Sequence, residues 1–445
     1  MRSASQYNQD LMAFIKGHPC NFLVVEGQAA QLEQAGYKRL VESAAWSLEP
    51  GGKYYVTRNG SALIAFRVPH VAPAGFMIMA SHSDSPTLRI KPNPEIDVDG
   101  AYTTLNVELY GGALLNPWFD RPLSVCGRIA VRMLDGVRML NVCVDRDLML
   151  IPSLAIHMNR EANNGYKLNV QKDMLPLYGG KDANDLLNVV AAAAGVDPDD
   201  IIGHELVLYV RDEPRVWGEQ REFLSAPRLD DVQCAFASLQ GFLESEPAAQ
   251  SCKSAMTSIP VHAVFDNEEV GSGTKQGAAS TFLKDTLQRV VAAISDDADA
   301  YVRLVAQSFM LSADNAHALH PNYQEKCDPT NHPHLGGGVV LKHAANQRYT
   351  TDAVSEALCR TLASRAGVPL QTFANRSDMP GGSTLGNISS AQVAVRTADI
   401  GIAQLAMHSC YETCSAADTA YMVALARQLY MSSLHEAAPG CLVIE

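Results

Sequence analysis

No two cysteines in this chain stand in a Cys-x-x-Cys spacing, although there are ten in 445 residues. A local zinc knuckle or a thioredoxin-like redox motif needs that spacing, so neither is expected. Cys410 and Cys414, four apart on what reads as one helix, are poorly placed for a disulfide, and a reduced, cytoplasmic setting is the expectation. Also missing is any apolar run of about 18 residues, the length a membrane-spanning helix requires. The opening Met1-Arg2-Ser3-Ala4-Ser5-Gln6 leads into a polar amphipathic helix without the apolar stretch of a signal peptide. Positive charge is in deficit, with a net charge of −13, which argues against nucleic acid and anionic membranes as partners. An acidic substrate stays open, because a basic group or a metal can dominate inside a pocket. There is no internal repeat, low-complexity tract or charged tail.

What is present is the composition of a soluble globular protein, 47% hydrophobic and 19% charged. The length suggests roughly two to three domains. Residues 8–17 and 23–36 have helical spacing of apolar positions. Residues 54–66 alternate around Asn59-Gly60, a strong hairpin signal. Residues 76–80 read as a central strand that stops abruptly at Ser81-His82-Ser83-Asp84. From about 91 to 215 the texture changes to short alternating segments (104–109, 123–132, 205–210), with helical character at 182–194. After Pro227 helical periods return at 231–244, 279–294, 354–367 and 416–431. Strand-like runs at 259–265, 307–312, 339–342, 370–373 and 393–397 separate them. Strand–helix alternation on both sides of a β-rich stretch implies an α/β sheet covered on both faces and interrupted by an inserted domain.

Chemistry collects where apolar runs end. Ile259-Pro260-Val261-His262-Ala263-Val264-Phe265 reads as a buried strand, and Asp266-Asn267-Glu268-Glu269 follows it at once. Strand ends are where α/β sheets place ligands and reacting groups. An isolated Glu-Glu pair is more often a solvated turn, but four other spots share its setting. His82 has Asp84 two residues on, spaced to fix the ring from behind. Asp230 precedes a helix, where plain N-capping is the alternative. Asp314 follows an apolar run in Ser312-Ala313-Asp314-Asn315. His408 follows another, where a buried core histidine is the alternative. Two metals about 3.5–4 Å apart need a bridging carboxylate, terminal ligands on each side and a carboxylate base. This inventory meets that count, with one of the two glutamates left to move a proton.

Several stretches in order carry a more specific signal. They are Ser81-His82-Ser83-Asp84-Ser85-Pro86, Tyr110-Gly111-Gly112, Trp118-Phe119-Asp120-Arg121, Ile151-Pro152-Ser153-Leu154-Ala155-Ile156-His157 and Pro227-Arg228-Leu229-Asp230. Asn267-Glu268-Glu269-Val270-Gly271-Ser272, Ser312-Ala313-Asp314-Asn315-Ala316-His317 and Ala406-Met407-His408-Ser409 complete the set. Through them nearly the whole chain resembles the aspartyl aminopeptidase family of dinuclear metallopeptidases. The resemblance implies a three-layer α/β metallopeptidase catalytic domain (residues 1–90 and 221–445) interrupted by a β-rich dimerisation domain (residues 91–220). It implies two divalent metal ions, zinc with manganese or cobalt as alternatives. Asp230 would bridge them, His82 and Asp314 would complete one site, and Glu269 and His408 the other. Glu268 would be the general base and Asp84 would support His82. Lys342 and His317 would line the substrate pocket, and His157 would reach a neighbouring subunit's active site. The implied activity is hydrolysis of N-terminal residues, acidic ones preferred, from peptides; the implied assembly is a homo-oligomer of dimers, up to a dodecamer. Neutral N-termini and a non-catalytic shell-forming scaffold are the alternatives.

Two stretches depart from that family's pattern. Asp231 stands where asparagine is frequent, and Asp378-Met379-Pro380-Gly381-Gly382-Ser383-Thr384-Leu385-Gly386-Asn387 differs from the usual glycine loop. A nucleotide-binding reading of Gly271-Ser272-Gly273-Thr274-Lys275-Gln276-Gly277 fails, because two acids precede it and the Gly-Lys-Ser/Thr of a phosphate loop is absent. Neither His317 with His320 nor His332 with His334 has the adjacent acid of a His-Glu-x-x-His helix.

Overall fold

The computed structural model describes residues 2–251, 257–379, 381–382 and 384–445, with side chains of 247–251 excepted. Met1, and Pro380 and Ser383 of the atypical glycine loop, lie outside the described residues.

Asn59 and Gly60 both take left-handed backbone angles, φ 60° and 69°. That is the geometry a tight hairpin needs, and it joins the antiparallel strands Lys53–Arg58 and Ala62–Arg67. Ala62–Arg67 pairs onward with Ser258–Phe265, and so leads into the centre of a large sheet. Four parallel neighbours form that centre: Ser258–Phe265, Gly75–His82, Phe309–Ala313 and Arg396–Leu405. All residues of the first three are buried. Their side chains divide by period two between two cores. Met77, Met79 and Leu311 face one, shared with the helices Ala4–Gly17, Leu229–Ser251 and Asp418–Tyr430. Phe76, Ile78 and Met310 face the other, shared with the helix Phe282–Ile294. The result is the expected three-layer α/β arrangement. Among the described residues, thirteen strands belong to this sheet.

A second, antiparallel sheet has the order Gly136–Cys143, Leu123–Met133, Ile201–Val210, Thr87–Val98, Tyr102–Tyr110, Leu177–Gly180. Its own core contains Leu88, Leu105, Val125, Ile129 and Leu206. Thr87–Val98 lies wholly in the smaller sheet, and Arg215–Trp217 pairs with Phe223–Ala226 in the large one.

Two local readings are corrected. Cys410 and Cys414 do not share a helix. Glu412–Ser415 is a strand between Phe223–Ala226 and Arg396–Leu405, and the helix starts only at Asp418. The run read as 393–397 is a strand over Arg396–Leu405. Asp399 and Gly401 disguise it. Asp399 is buried, and Thr384 Oγ1 and Thr350 Oγ1 donate to its carboxylate at 2.6 and 2.8 Å. A Cβ on Gly401 would sit 2.1 Å from the carbonyl oxygen of Asp314, so this close approach requires glycine.

One buried group couples fold to pH. His262, in the central strand, is fully buried. Its Nδ1 accepts from Ser238 Oγ at 2.7 Å and its Nε2 donates to Gln28 Oε1 at 3.0 Å. Burial alone lowers it to about 3. The folded chain resists a proton that the unfolded chain accepts near the ordinary histidine value of about 6.5. Its contribution is therefore complete above that value and is lost as pH falls toward the folded one, on the order of 5 kcal/mol in all. Urea titrations should show stability falling between pH 6.5 and 4, with a shallower fall in His262→Gln. An equal slope in both proteins would remove His262 as the cause.

Candidate metal centre

The strand ends converge as the sequence suggests. His82 closes the strand Gly75–His82, Glu268 and Glu269 form a short 3-10 turn just after Ser258–Phe265, and Asp314 follows Phe309–Ala313. Asp230 sits in the irregular first turn of the helix Leu229–Ser251. His408 takes a left-handed φ of 66° beyond Arg396–Leu405. These places, more than three hundred residues apart in the chain, bring ligand atoms within 4.8 Å of one another. The groups are His82, Asp230, Asp231 and Asp314; His82, Glu268 and Glu269; and Asp230, Glu269 and His408.

Both histidines present Nε2 to the cluster. His82 Nδ1 is held from behind by the carbonyl of Asp84 at 3.1 Å and by its Oδ1 at 3.3 Å. His82 Nε2 then lies 3.6 Å from Asp230 Oδ1 and 3.9 Å from Asp314 Oδ1. His408 Nδ1 donates to the carbonyl of Gly112 at 2.9 Å. Its Nε2 lies 3.5 Å from Asp230 Oδ2 and 3.4 Å from Glu269 Oε2. A ring nitrogen anchored on one side fixes the tautomer and leaves the other lone pair for a cation. The two oxygens of Asp230 thus face two different histidines.

Asp84 ties these parts together. Its carboxylate accepts from the amides of Glu268 (3.1 Å) and Glu269 (3.2 Å) and from the Tyr110 hydroxyl (2.6 Å). Burial would raise its pKa, but His82, Tyr110 and the Glu269 amide outweigh that and hold it low. Burial likewise opposes ionisation of Asp230, yet His408 and His82 keep it well below the usual carboxylate range. In the opposite direction, burial with the charges of Asp314, Asp84 and Asp230 pushes Glu268 up to about 8, against the pull of His82. His408 is drawn down by burial but raised by Asp230, the Gly112 carbonyl and Glu412 to about 9. Raised acids and raised histidines in one cluster mean that the place favours positive charge.

Sequence reasoning missed Glu412. It is buried, and its two oxygens accept from the amides of Asp230 (3.0 Å) and His408 (2.8 Å). One carboxylate therefore fixes the backbone of two cluster residues. Its signal was weak: a single acid inside Tyr411-Glu412-Thr413-Cys414, a run mistaken for helix. Asp231, where asparagine is frequent in the family the chain resembles, is fully buried, and its Oδ2 accepts from the amide of His82 at 3.1 Å. Burial first, then the charges of Asp314 and Asp230, raise its pKa against the pull of His82.

The remaining site expectations fall in different places. Lys342 is buried; its Nζ donates to the carbonyl of Asn315 at 2.7 Å and lies 3.5 Å from Asp314 Oδ2. With His317, Tyr349, Phe373, Met407 and Thr384 it lines a recess of about 170 Å³ that opens onto Glu268, Asp230, Asp314 and His408. His317 lines this recess and is exposed to solvent. Burial and the Lys342 charge lower its pKa. His157 is not brought to this cluster. It stands exposed on the turn after Ile151, and no hydrogen bond or ion pair joins it to another of the described residues.

The donor set suits a borderline divalent ion such as zinc, which takes imidazole nitrogen and carboxylate oxygen. Asp230 Oδ1 and Glu269 Oε1 are buried with no hydrogen-bond partner among the described residues. Such atoms carry a desolvation cost that a cation would offset.

The comparisons agree with this chemistry. The sequence model of a family described as "Aminopeptidase I zinc metalloprotease (M18)" matches residues 14–430. A Clostridium acetobutylicum protein described as "Probable M18 family aminopeptidase 2" is 43% identical over 433 residues, 95% of this chain and 98% of that one. The fold also matches solved structures. A chain in the cryo-EM structure of the Ape4 and Nbr1 complex superposes with a TM-score of 0.92 at 36% identity, covering 96% of this chain and 86% of that one. The S. cerevisiae mApe1 dodecamer gives 0.84 at 29% identity, covering 95% and 96%.

Proposed function

The chain belongs to peptidase family M18, the aminopeptidase I zinc metalloproteases, and is a metal-dependent aminopeptidase; from that premise we propose how its residues divide the work. His82, Asp314 and Asp230 would hold one divalent ion, and His408, Glu269 and Asp230 a second. Zinc fits both, and manganese and cobalt suit the same donors. The observation that carries this reading is Asp230 itself, its two oxygens 3.6 and 3.5 Å from the Nε2 atoms of two histidines. When bound, such ions supply Lewis-acid polarisation of the scissile carbonyl and a lowered water pKa. Glu268 accepts the proton from the attacking water and returns it to the leaving amine. Asp84 and Glu412 hold the cluster in register.

The recess behind Glu268 receives the first side chain of the peptide. Lys342 and His317 on its wall support a preference for Asp and Glu. The aromatic walls Tyr349 and Phe373, and the engagement of Lys342 by Asp314, favour a neutral residue instead. Assays with Asp-, Glu- and Leu-aminoacyl substrates decide between them. Chelation should abolish turnover on every substrate, and zinc, manganese or cobalt should restore it. Activity that survives chelation, or none after metal is returned, would overturn the enzymatic reading in favour of a scaffold. Lys342→Ala should cost acidic substrates about ten-fold more in kcat/KM than Leu. Equal losses would leave Lys342 only its support of Asp314.

We further propose that the smaller sheet pairs copies of the chain, and that dimers assemble to a dodecamer such as the one solved for mApe1. Exposed Leu134, Val137 and Met139 on its edge, and Leu154, Ile156 and Met158 beside His157, support this. In that assembly His157 extends toward a neighbour's recess. The nine cysteines among the described residues are unpaired, which supports a reducing, cytoplasmic setting.

A further inference from the structure

We infer that Tyr110-Gly111-Gly112, at the end of the strand Tyr102–Tyr110 of the smaller sheet, is a positioning strap for both halves of the metal centre. Three consecutive residues touch three different parts of it. The Tyr110 hydroxyl donates to Asp84 Oδ2 at 2.6 Å and accepts from Asn267 Nδ2 at 2.8 Å. Gly111, at φ 74°, packs so closely that a Cβ there would lie 3.1 Å from the Cβ of Glu269 and 3.4 Å from Pro86. The Gly112 carbonyl accepts from His408 Nδ1 at 2.9 Å, and the Leu114 amide donates to the His408 carbonyl at 2.9 Å.

Each touch fixes a different coordinate. Tyr110 orients the carboxylate that holds His82 Nδ1 and the amides of Glu268 and Glu269. Gly111 sets how far Glu269 stands from the strand. Gly112 selects the His408 tautomer that turns Nε2 inward. The large sheet supplies the strand-end ligands, yet the smaller sheet supplies the groups that aim them. Partners at this remove govern metal affinity strongly. The inserted unit is thus part of the centre's scaffold in its own chain, apart from any role in pairing copies. This inference rests on the metal-centre reading proposed above.

The test compares Tyr110→Phe and Gly111→Ala with Gly100→Ala in the full-length protein. Gly100, at φ 62° in the turn before Tyr102–Tyr110, would carry the same left-handed strain, but its Cβ would meet nothing within 4 Å. Zinc affinity is read by competition with a chromophoric chelator, and kcat and KM are read separately. Tyr110→Phe and Gly111→Ala should each weaken zinc binding about 10- to 100-fold and lower kcat at unchanged KM. Gly100→Ala should keep wild-type zinc affinity and kcat. Wild-type values in both strap variants, or an equal loss in Gly100→Ala, would overturn the inference. If Gly111→Ala does not fold, Tyr110→Phe, which removes one oxygen, decides alone. His408→Ala separates the two levels. If it keeps wild-type zinc stoichiometry and turnover, the metal-centre reading fails. If it loses zinc while the strap variants do not, only the strap inference fails.

Discussion

Glu268→Gln is expected to lower kcat by about three orders of magnitude or more while bound zinc stays at the wild-type level. The amide of Glu268 donates to Asp84, and this bond survives the substitution. Its side chain lines the recess beside Asp230 and Asp314; it comes near His82 and Glu269 but stands outside the groups formed by Asp230 with Asp314 and His82, and by Asp230 with Glu269 and His408. Glutamine keeps the size and the hydrogen-bonding reach, and loses only the ability to take a proton. Burial first, then Asp314, Asp84 and Asp230, push the carboxyl up to about 8 in the protein without cations. Positive charge in the cluster draws that value down, toward the working range of a general base. A raised carboxyl must lose its proton before it can act, so wild-type kcat should rise with pH along its acidic limb. Metal analysis and kcat on the same preparation check the expectation. Turnover within ten-fold of wild type, at full metal content, would assign the proton transfer to another group.

The parts of this site that could be read in the sequence share one physical cause. His82, Glu268, Glu269 and Asp314 each interrupt a run of buried apolar residues, and a charge placed there is costly enough to need a reason. The same logic exposes the centre of the large sheet, where Phe76-Met77-Ile78-Met79-Ala80 has no polar residue to break the pattern. It fails where polar residues lie inside a strand and are satisfied by partners far away. Asp399 is bonded by Thr350 and Thr384, so Arg396–Leu405 looked five residues long. Glu412 shows the same blindness at the site. Its function is to accept two backbone amides, one from Asp230 far away in the chain and one from His408 four residues before it. Backbone donors carry no residue code, so a carboxylate that serves them is invisible until the chain is folded. The Gly112 carbonyl is hidden for the same reason. Asp231 was visible as a departure but not as a solution. Only the folded chain shows that it is completely buried and that its Oδ2 accepts from the His82 amide.

Asp230→Asn and Asp314→Asn should separate the two halves of the centre by metal stoichiometry. Asp314 approaches only the His82 side, at 3.9 Å from Nε2, and its other oxygen lies 3.5 Å from Lys342. Its amide variant should lose the ion on that side and keep the one held by His408 and Glu269. Asp230 faces both sides, and its charge is the one that the two histidines stabilise most directly. An asparagine there can offer an oxygen to one histidine side but turns an N–H toward the other, and it removes the negative charge from both. It should therefore lose both ions and bring kcat to the level of the chelated enzyme. The backbone position need not change, because Glu412 holds the Asp230 amide and Ser85 donates to its carbonyl at 2.6 Å. Circular dichroism should accordingly match wild type, so that the loss is charge and not unfolding. Equilibrium dialysis against zinc gives the stoichiometry directly, with two ions expected for wild type, one for Asp314→Asn and none for Asp230→Asn. A single ion retained by Asp230→Asn would mean that its two oxygens serve one site, and the bridging assignment would fall.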